Sequence, residues 1–129
     1  MRAPLRKKII ETVSQIGDTL ISKAIHTPHG LYWKTRIYID KEPETIVSPS
    51  LYSGASGIAL FFLDLYEITN QKQYIEIAQQ AMNWVVLYAK VKNWPEYSFY
   101  VGRTGASYVL NRLFQLTGNI IWQNEALLL

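Results

Sequence analysis

The sequence lacks cysteine altogether, and this absence excludes several kinds of site at once. Without a thiol the chain can form no disulfide, hold no metal through thiolates and offer no cysteine nucleophile. A chain without disulfides is typical of the cytoplasm, which is therefore the expected location.

Long apolar stretches are also missing. The longest strongly apolar run covers residues 58–63 and stops at Asp64, far short of the roughly 20 residues that a membrane-spanning helix needs. Near the N-terminus, Glu11 and Asp18 interrupt the apolar residues that follow the basic start, so no secretory signal is predicted. We expect a soluble protein with no membrane partner.

Charge of one sign is only in mild excess. The formal net charge is +3, and eight of the 13 lysine and arginine residues fall in the first 41 positions. These cations alternate with carboxylates and form no stripe interleaved with aromatic residues, so nucleic acid is not an expected partner. With 49% hydrophobic and 18% charged residues, the composition is that of a globular chain, and 129 residues suit a single domain.

What the sequence does contain is an internal repeat. The segment LYSGASG at residues 51–57 returns as FYVGRTG at residues 99–105, a shift of 48 positions. The same shift pairs Leu65 with Leu113 without a gap. A fixed period of this size predicts stacked helical units that bury their apolar faces against one another.

Hydrophobic periodicity predicts an all-α fold of about five helices. Each repeat unit contributes a helical hairpin, in which an apolar inner helix is followed by an amphipathic outer helix. The second unit ends without a capping residue, so we expect it to be truncated inside its outer helix. The predicted segments are a leading helix at 4–26 within residues 1–29, an extended segment near 31–39, a proline-containing loop at 40–50, helices at 55–69 and 72–89 in the first unit (51–98), and helices at 104–117 and from 120 in the second (99–129).

Each unit opens on a G-x-x-G motif, and its inner helix ends on L-Y/F-x-I/L-T at residues 65–69 and 113–117. Units with these paired motifs resemble the first repeats of lanthionine synthetase C-like (LanC-like) proteins, and the resemblance covers about residues 30–129. It implies the N-terminal portion of an (α/α) toroid. In cyclase members of the family, a zinc ion held by two cysteines and one histidine binds a peptide cysteine thiol, which adds to a dehydroamino acid and forms a thioether (lanthionine) ring.

The resemblance carries no catalytic or metal-ligating residue over to this chain. The family's zinc ligands lie in later repeats, so zinc is expected only for a full-length member. The family's general acid precedes the glycine pair of a later repeat, whereas residues 97–101 contain no carboxylate. What carries over is structural, namely the glycines at the inner-helix entrances, which permit tight turns and close backbone approach. These are Gly54, Gly57, Gly102 and Gly105.

A few side chains are candidates for a site. The amides of the glycine motifs could bind an anion with help from Arg103, but glycines required for packing are the favoured interpretation. Asp64 and Glu67 lie three positions apart on the first inner helix, and with Arg103 they are the candidates for a polar lining of the central cavity. His26 and His29 have no evident third ligand, which favours turn or surface histidines over a metal site.

The first hypothesis is a fragment of a LanC-like protein that is inactive alone, with a precursor peptide or the missing C-terminal half of the domain as its partner. One alternative is a non-catalytic helical-repeat module that binds a peptide or protein. Another is a fragment of a carbohydrate-active α/α barrel, for which Asp64 and Glu67 are the available carboxylate pair. A slice of a toroid exposes apolar edge surface, so we expect oligomerisation, aggregation or dependence on a complementing chain.

Overall fold

The computed structural model describes residues 2–129 and is mostly helical. Five helices and two β-hairpins make up its regular structure. They are α1 (Ala3–Lys23), β1 (Ile25–Thr27), β2 (Gly30–Tyr32), β3 (Lys34–Ile39), β4 (Glu42–Val47), α2 (Ala55–Thr69), α3 (Lys72–Val91), α4 (Arg103–Thr117) and α5 (Ile120–Leu128). The prediction of a helical fold is correct for most of the chain, and the four short strands correct its all-α class.

The leading helix α1 is shorter than predicted and only partly covered. It ends at Lys23 instead of residue 26, because β1 begins two residues later. Gly17 lies where α1 crosses α2, and a Cβ at this glycine would be 2.8 Å from Leu65 Cδ2. The helix packs on the core through later residues such as Leu20. Its exposed apolar residues are Leu5, Ile9 and Ile16.

The extended segment predicted near residues 31–39 is confirmed by β2 and β3, whereas β4 occupies most of the loop predicted for residues 40–50. The strands form two antiparallel hairpins. β1 pairs with β2, and β3 pairs with β4. The β3–β4 turn is formed by Asp40 and Lys41, whose φ angles of 49° and 67° suit a two-residue turn of type I′. Pro43 is tolerated in β4 because an edge strand needs donors on one side only.

The two repeat units fold into matching helical hairpins. The first and last residues of α2 and α4 are 48 positions apart, and so are the first residues of α3 and α5. Each inner helix ends on a left-handed residue, Asn70 with φ 57° and Gly118 with φ 70°, which closes the last turn. The helix α3 extends to Val91, two residues beyond its predicted end.

The core lies between α2 and α3 and continues to β2 and α4. The predicted apolar face of α3 is buried at Tyr74 and Val85, among others. In the centre, Phe62 stacks between Trp33 and Tyr74, with ring centroids 6.4 and 5.9 Å away. None of the helices within residues 2–129 combines the length and hydropathy that crossing a membrane requires.

Candidate functional site

The two glycine motifs lie side by side at one end of the molecule. The amide of Tyr52 donates to the carbonyl of Tyr100 at 2.8 Å, and a Cβ on Gly105 would lie 3.1 Å from Leu51 Cβ. The inner helices α2 and α4 therefore begin next to each other. We refer to residues 48–54 and 96–102, which lead into these helices, as the first and second entrance loops.

Each of the four motif glycines packs against the backbone of the residue six positions earlier. An added Cβ would approach that carbonyl oxygen to 1.9 Å at Gly54, 2.1 Å at Gly57, 2.6 Å at Gly102 and 2.0 Å at Gly105. Gly54 and Gly102 have φ angles of −147° and −129°, which other residues also adopt. The requirement for glycine is therefore close backbone approach, as the packing interpretation predicts.

Carbonyl groups of the first entrance loop accept hydrogen bonds from the amides that an anion would need at the start of α2. The amides of residues 54–57 donate to carbonyls of residues 48–50 at distances between 2.9 and 3.4 Å. Because the first amides of a helix bind an anion only when they lack other acceptors, this N-terminus fits the packing role and not the anion site.

Three serine hydroxyls hold the first entrance loop, and they are not among the residues predicted from the sequence. Ser50 Oγ contacts Ser48 Oγ at 3.0 Å and Ser53 Oγ at 3.1 Å. Thr35 of β3 donates to the Ser53 carbonyl at 2.7 Å, which fastens this loop to β3. The close spacing of serines in a proline-containing loop was an available signal, because serine hydroxyls commonly bond nearby backbone groups.

Arg103 fixes the connector that precedes it. Its guanidinium lies 5.2 Å from the centroid of the Tyr97 ring. Its Nε donates to the carbonyl of Trp94, and its Nη2 lies 3.4 Å from Asn93 Oδ1. These contacts account for the side chain without a ligand.

Asp64 and Glu67 both contact Arg112, which is not among the site residues predicted from the sequence. Arg112 Nη1 lies 2.7 Å from Asp64 Oδ1, and Nη2 pairs with Glu67 Oε1. Burial lowers the pKa of Arg112, but the hydrogen bonds and charges of the two carboxylates outweigh this effect and raise it. Arg112 stands 48 positions after Asp64, so the two inner helices carry opposite charges at equivalent positions.

The donors of this chain do not fit the zinc that the resemblance implies. His26 lies in β1, and His29 lies in the turn before β2. Within residues 2–129, no three side chains of His, Cys, Asp or Glu come together as metal ligands. A zinc centre of two cysteines and one histidine therefore has no counterpart here.

A cleft of about 880 Å³ opens beside the first entrance loop. It is bounded by the end of α1, by β3, by the entrance loop and by the first turns of α2. Tyr38 and Tyr52 line its exposed margin, at 69% and 76% exposure. Among the described residues on its walls, Arg36 is the one cation and no carboxylate is present. Its apolar wall includes Leu20, Ile58 and Phe61.

A second groove, of about 440 Å³, lies between α4 and α5. Asn111 and Gln123 are among the residues that line it. The residues 48 positions earlier are Leu63 and Ile75, which are buried in the first unit. The groove thus exposes positions that are packed in the preceding unit, and at these two positions it carries amides in place of aliphatic side chains.

Comparison with known protein families matches the repeat region. A family model described as lanthionine synthetase C-like protein covers residues 45–128, which include both entrance loops and all four helices of the two hairpins. The comparison with curated proteins gives no match.

Proposed function

Because the chain belongs to the lanthionine synthetase C-like family, we propose that its two units form the first part of an (α/α) toroid that acts in peptide thioether formation. In that reaction a cysteine thiolate adds to the β-carbon of a dehydroamino acid, a carbon–sulfur bond forms, and the resulting enolate takes up a proton at the α-carbon. The observation that carries the proposal is the family match over residues 45–128, within which both units build the same entrance loop.

We assign this chain a peptide-facing wall and no reacting group. The family's zinc, when bound, holds the substrate thiol as a thiolate, but the ligands for it are not among the residues described. No carboxylate stands in the five residues before Gly102, the place of the family's general acid in a later repeat. The chain alone is therefore proposed to be inactive, and its reaction partners are the rest of the domain and a precursor peptide.

The α4–α5 groove is the place proposed for the next helical hairpin. Its positions are covered in the first unit, which supports a further unit stacking there by the same repeat. Leu127 of α5 also lines the groove and is 81% exposed, so a unit stacked there would reduce its exposure.

A complementation assay tests this function. The chain is mixed with a dehydrated peptide that holds one free cysteine, with or without the zinc-bearing part of a LanC-like protein that lacks its own first two units. Ring closure leaves the peptide mass unchanged, so it is followed as loss of the thiol that an alkylating reagent can label. We expect thiol loss only when both proteins are present.

A variant pair sharpens the assay. Asn111→Arg places a long cation in the groove and is expected to reduce complementation, whereas Gln73→Arg on the exposed side of α3 makes the same kind of change away from it. Ring formation by the chain alone would contradict the proposed inactivity. As a control, the zinc-bearing part is assayed with the first two units of its own protein. If that control forms the ring and the mixture with this chain does not, the toroid role is contradicted.

The second candidate is a non-catalytic repeat module that binds a peptide. Two positions of the groove favour it, because Asn111 and Gln123 tolerate solvent where Leu63 and Ile75 would not. Peptide binding without ring formation in any mixture would support this candidate. The carbohydrate-active alternative has less support, because Arg112 engages both carboxylates of its one candidate pair.

A further inference from the structure

We propose that the cleft beside β3 binds an extended peptide segment by strand addition, with acidic side chains of the peptide next to Arg36 and apolar ones against α2. The inference deepens the proposed function, on which it rests for the peptide's role as a substrate. The edge, the charges and the walls of the cleft support the binding itself.

The cleft follows the free edge of β3. Four consecutive residues, 35–38, line it, and no residue of β4 does. Successive side chains of a strand point to opposite faces, so a cleft that touches four in a row runs along the edge. Within residues 2–129, the backbone of β3 hydrogen-bonds only with β4. The donors and acceptors on the cleft side are therefore available to an added strand.

The two edges of this hairpin are not equally protected. The outer strand β4 carries Pro43 between Glu42 and Glu44, and proline with charge is how proteins block pairing at an exposed edge. β3 contains no proline. Its six residues give roughly 20 Å of edge, enough for a short extended segment.

The strand register separates the charges of the hairpin. Directly paired residues share a face, and both glutamates of β4 pair with isoleucines of β3. Lys34 and Arg36 lie on the other face, and neither forms an ion pair with a described residue. Thr35 shares the isoleucine face and contacts Ser53, so this face looks toward the entrance loop.

An added strand would meet these two environments alternately. Its side chains on one face would lie beside Arg36 and Lys34, where acids are favoured. Its side chains on the other would face the apolar wall of Leu20, Ile58 and Phe61. The cleft therefore selects a segment in which acidic and apolar residues alternate, with main-chain hydrogen bonds for affinity and side chains for specificity.

Fluorescence anisotropy with a labelled peptide tests the inference on the full chain. The probe is as long as β3, six residues, and alternates aspartate with leucine. Arg36→Gln should weaken its binding about fivefold, the effect of one exposed charge pair, and Arg36→Lys should retain most of it. Arg6→Gln on α1, outside the cleft, is the matched control and should leave binding unchanged.

Two altered probes separate charge from strand pairing. A peptide with lysine at the acidic positions should bind more weakly than the aspartate probe. Peptides with N-methylated amides at alternate positions, in each of the two registers, distinguish the edge from a simple apolar patch: one register should abolish binding. Equal binding by both methylated peptides, or no effect of Arg36→Gln, would overturn the proposal.

Hydrogen exchange locates the contact. Peptide should slow exchange in residues 34–39 and in the first entrance loop while leaving β4 unchanged. If exchange at β3 slows with rising protein concentration in the absence of peptide, a second copy of the chain binds this edge. That result would overturn the proposal. Binding needs no ring formation, so failure here with intact complementation removes only this inference, and binding without complementation removes only the toroid role.

Discussion

At the scale of single residues, Gly57 shows how an absent side chain sets the entrance to a helix. A Cβ at this position would lie 2.1 Å from the Leu51 carbonyl oxygen, a backbone atom that cannot swing aside. We expect Gly57→Ala to lower the free energy of unfolding by about 2 kcal/mol, because the entrance loop must shift as in an overpacked core. Urea unfolding measures this change.

Gly118 provides the control for that experiment. Gly118 caps the C-terminus of α4 with a φ angle of 70°. No atom lies within 4 Å of the position that a Cβ would take there. Gly118→Asn should therefore stay within about 0.5 kcal/mol of the native chain, since asparagine tolerates this backbone region. If Gly57→Ala is as stable as Gly118→Asn, the loop accommodates the methyl group and the packing explanation fails.

The roles of single residues could be predicted where the residue belongs to the repeated motif. The G-x-x-G spacing identified the glycines, and their close packing could be anticipated because the motif occurs twice. The contacts of Arg103 and Ser50 could not be anticipated from the sequence. Each depends on where a connector or loop folds back in space, and neither contact recurs in the other unit in a form that the sequence would reveal.

At the scale of elements, Arg112 couples the inner helices of the two units. It lies on α4, is 18% exposed, and pairs with two carboxylates of α2. We expect Arg112→Gln to cost about 1 kcal/mol of unfolding free energy, because exposed partners limit the value of each pair and Asp64 and Glu67 would then repel each other. Chemical unfolding at low salt measures the loss.

Salt provides the control for this prediction. At about 1 M salt the screening length falls to roughly 3 Å, so the difference between Arg112→Gln and the native chain should shrink. Lys7→Gln removes the ion pair between two exposed residues on α1, Lys7 and Glu11, and should change stability little at either salt concentration. If the loss of unfolding free energy in Arg112→Gln does not depend on salt, packing of the aliphatic part of the side chain explains it and charge does not.

Element boundaries were predicted well where a capping signal existed. Asn70 and Gly118 mark the ends of the inner helices, and α2 spans the predicted residues without change. The β3–β4 hairpin was missed because its turn uses Asp40 and Lys41 in place of the asparagine–glycine pairs that signal such turns. Pro43 added to the error, since proline argues against a strand unless the strand is at an edge.

At the scale of the whole molecule, the repeat predicted the stacking of the two hairpins but not the cleft beside them. The cleft unites the end of α1, one edge of β3 and the start of α2, three segments that are far apart in the chain. Only tertiary packing brings Leu20, Arg36 and Phe61 to one surface. The peptide-binding inference therefore arises from the structure, whereas the family assignment was accessible from the motifs.

The same stacking leaves surfaces at two places without a neighbouring unit among the residues described. The first turns of α1 expose Leu5 and Ile9, and α5 exposes Leu127 and Leu128. Stacked repeats gain stability from the interfaces between them, so apolar surface at an open edge favours association. We expect the isolated chain to self-associate as its concentration rises, with a sedimentation coefficient that increases accordingly.

A charge placed on the α5 surface distinguishes this association from general stickiness. Leu127→Lys with Leu128→Lys should shift the chain toward monomer, because each lysine would have to be desolvated at the contact. Val91→Lys at the end of α3, where the valine is 69% exposed, adds charge at another apolar site and should leave association unchanged. A native chain that sediments as a monomer over a wide concentration range would show that this edge, with Asn111 and Gln123 in its groove, does not drive association. In that case the binding module, which needs no further unit, becomes the better account of the protein.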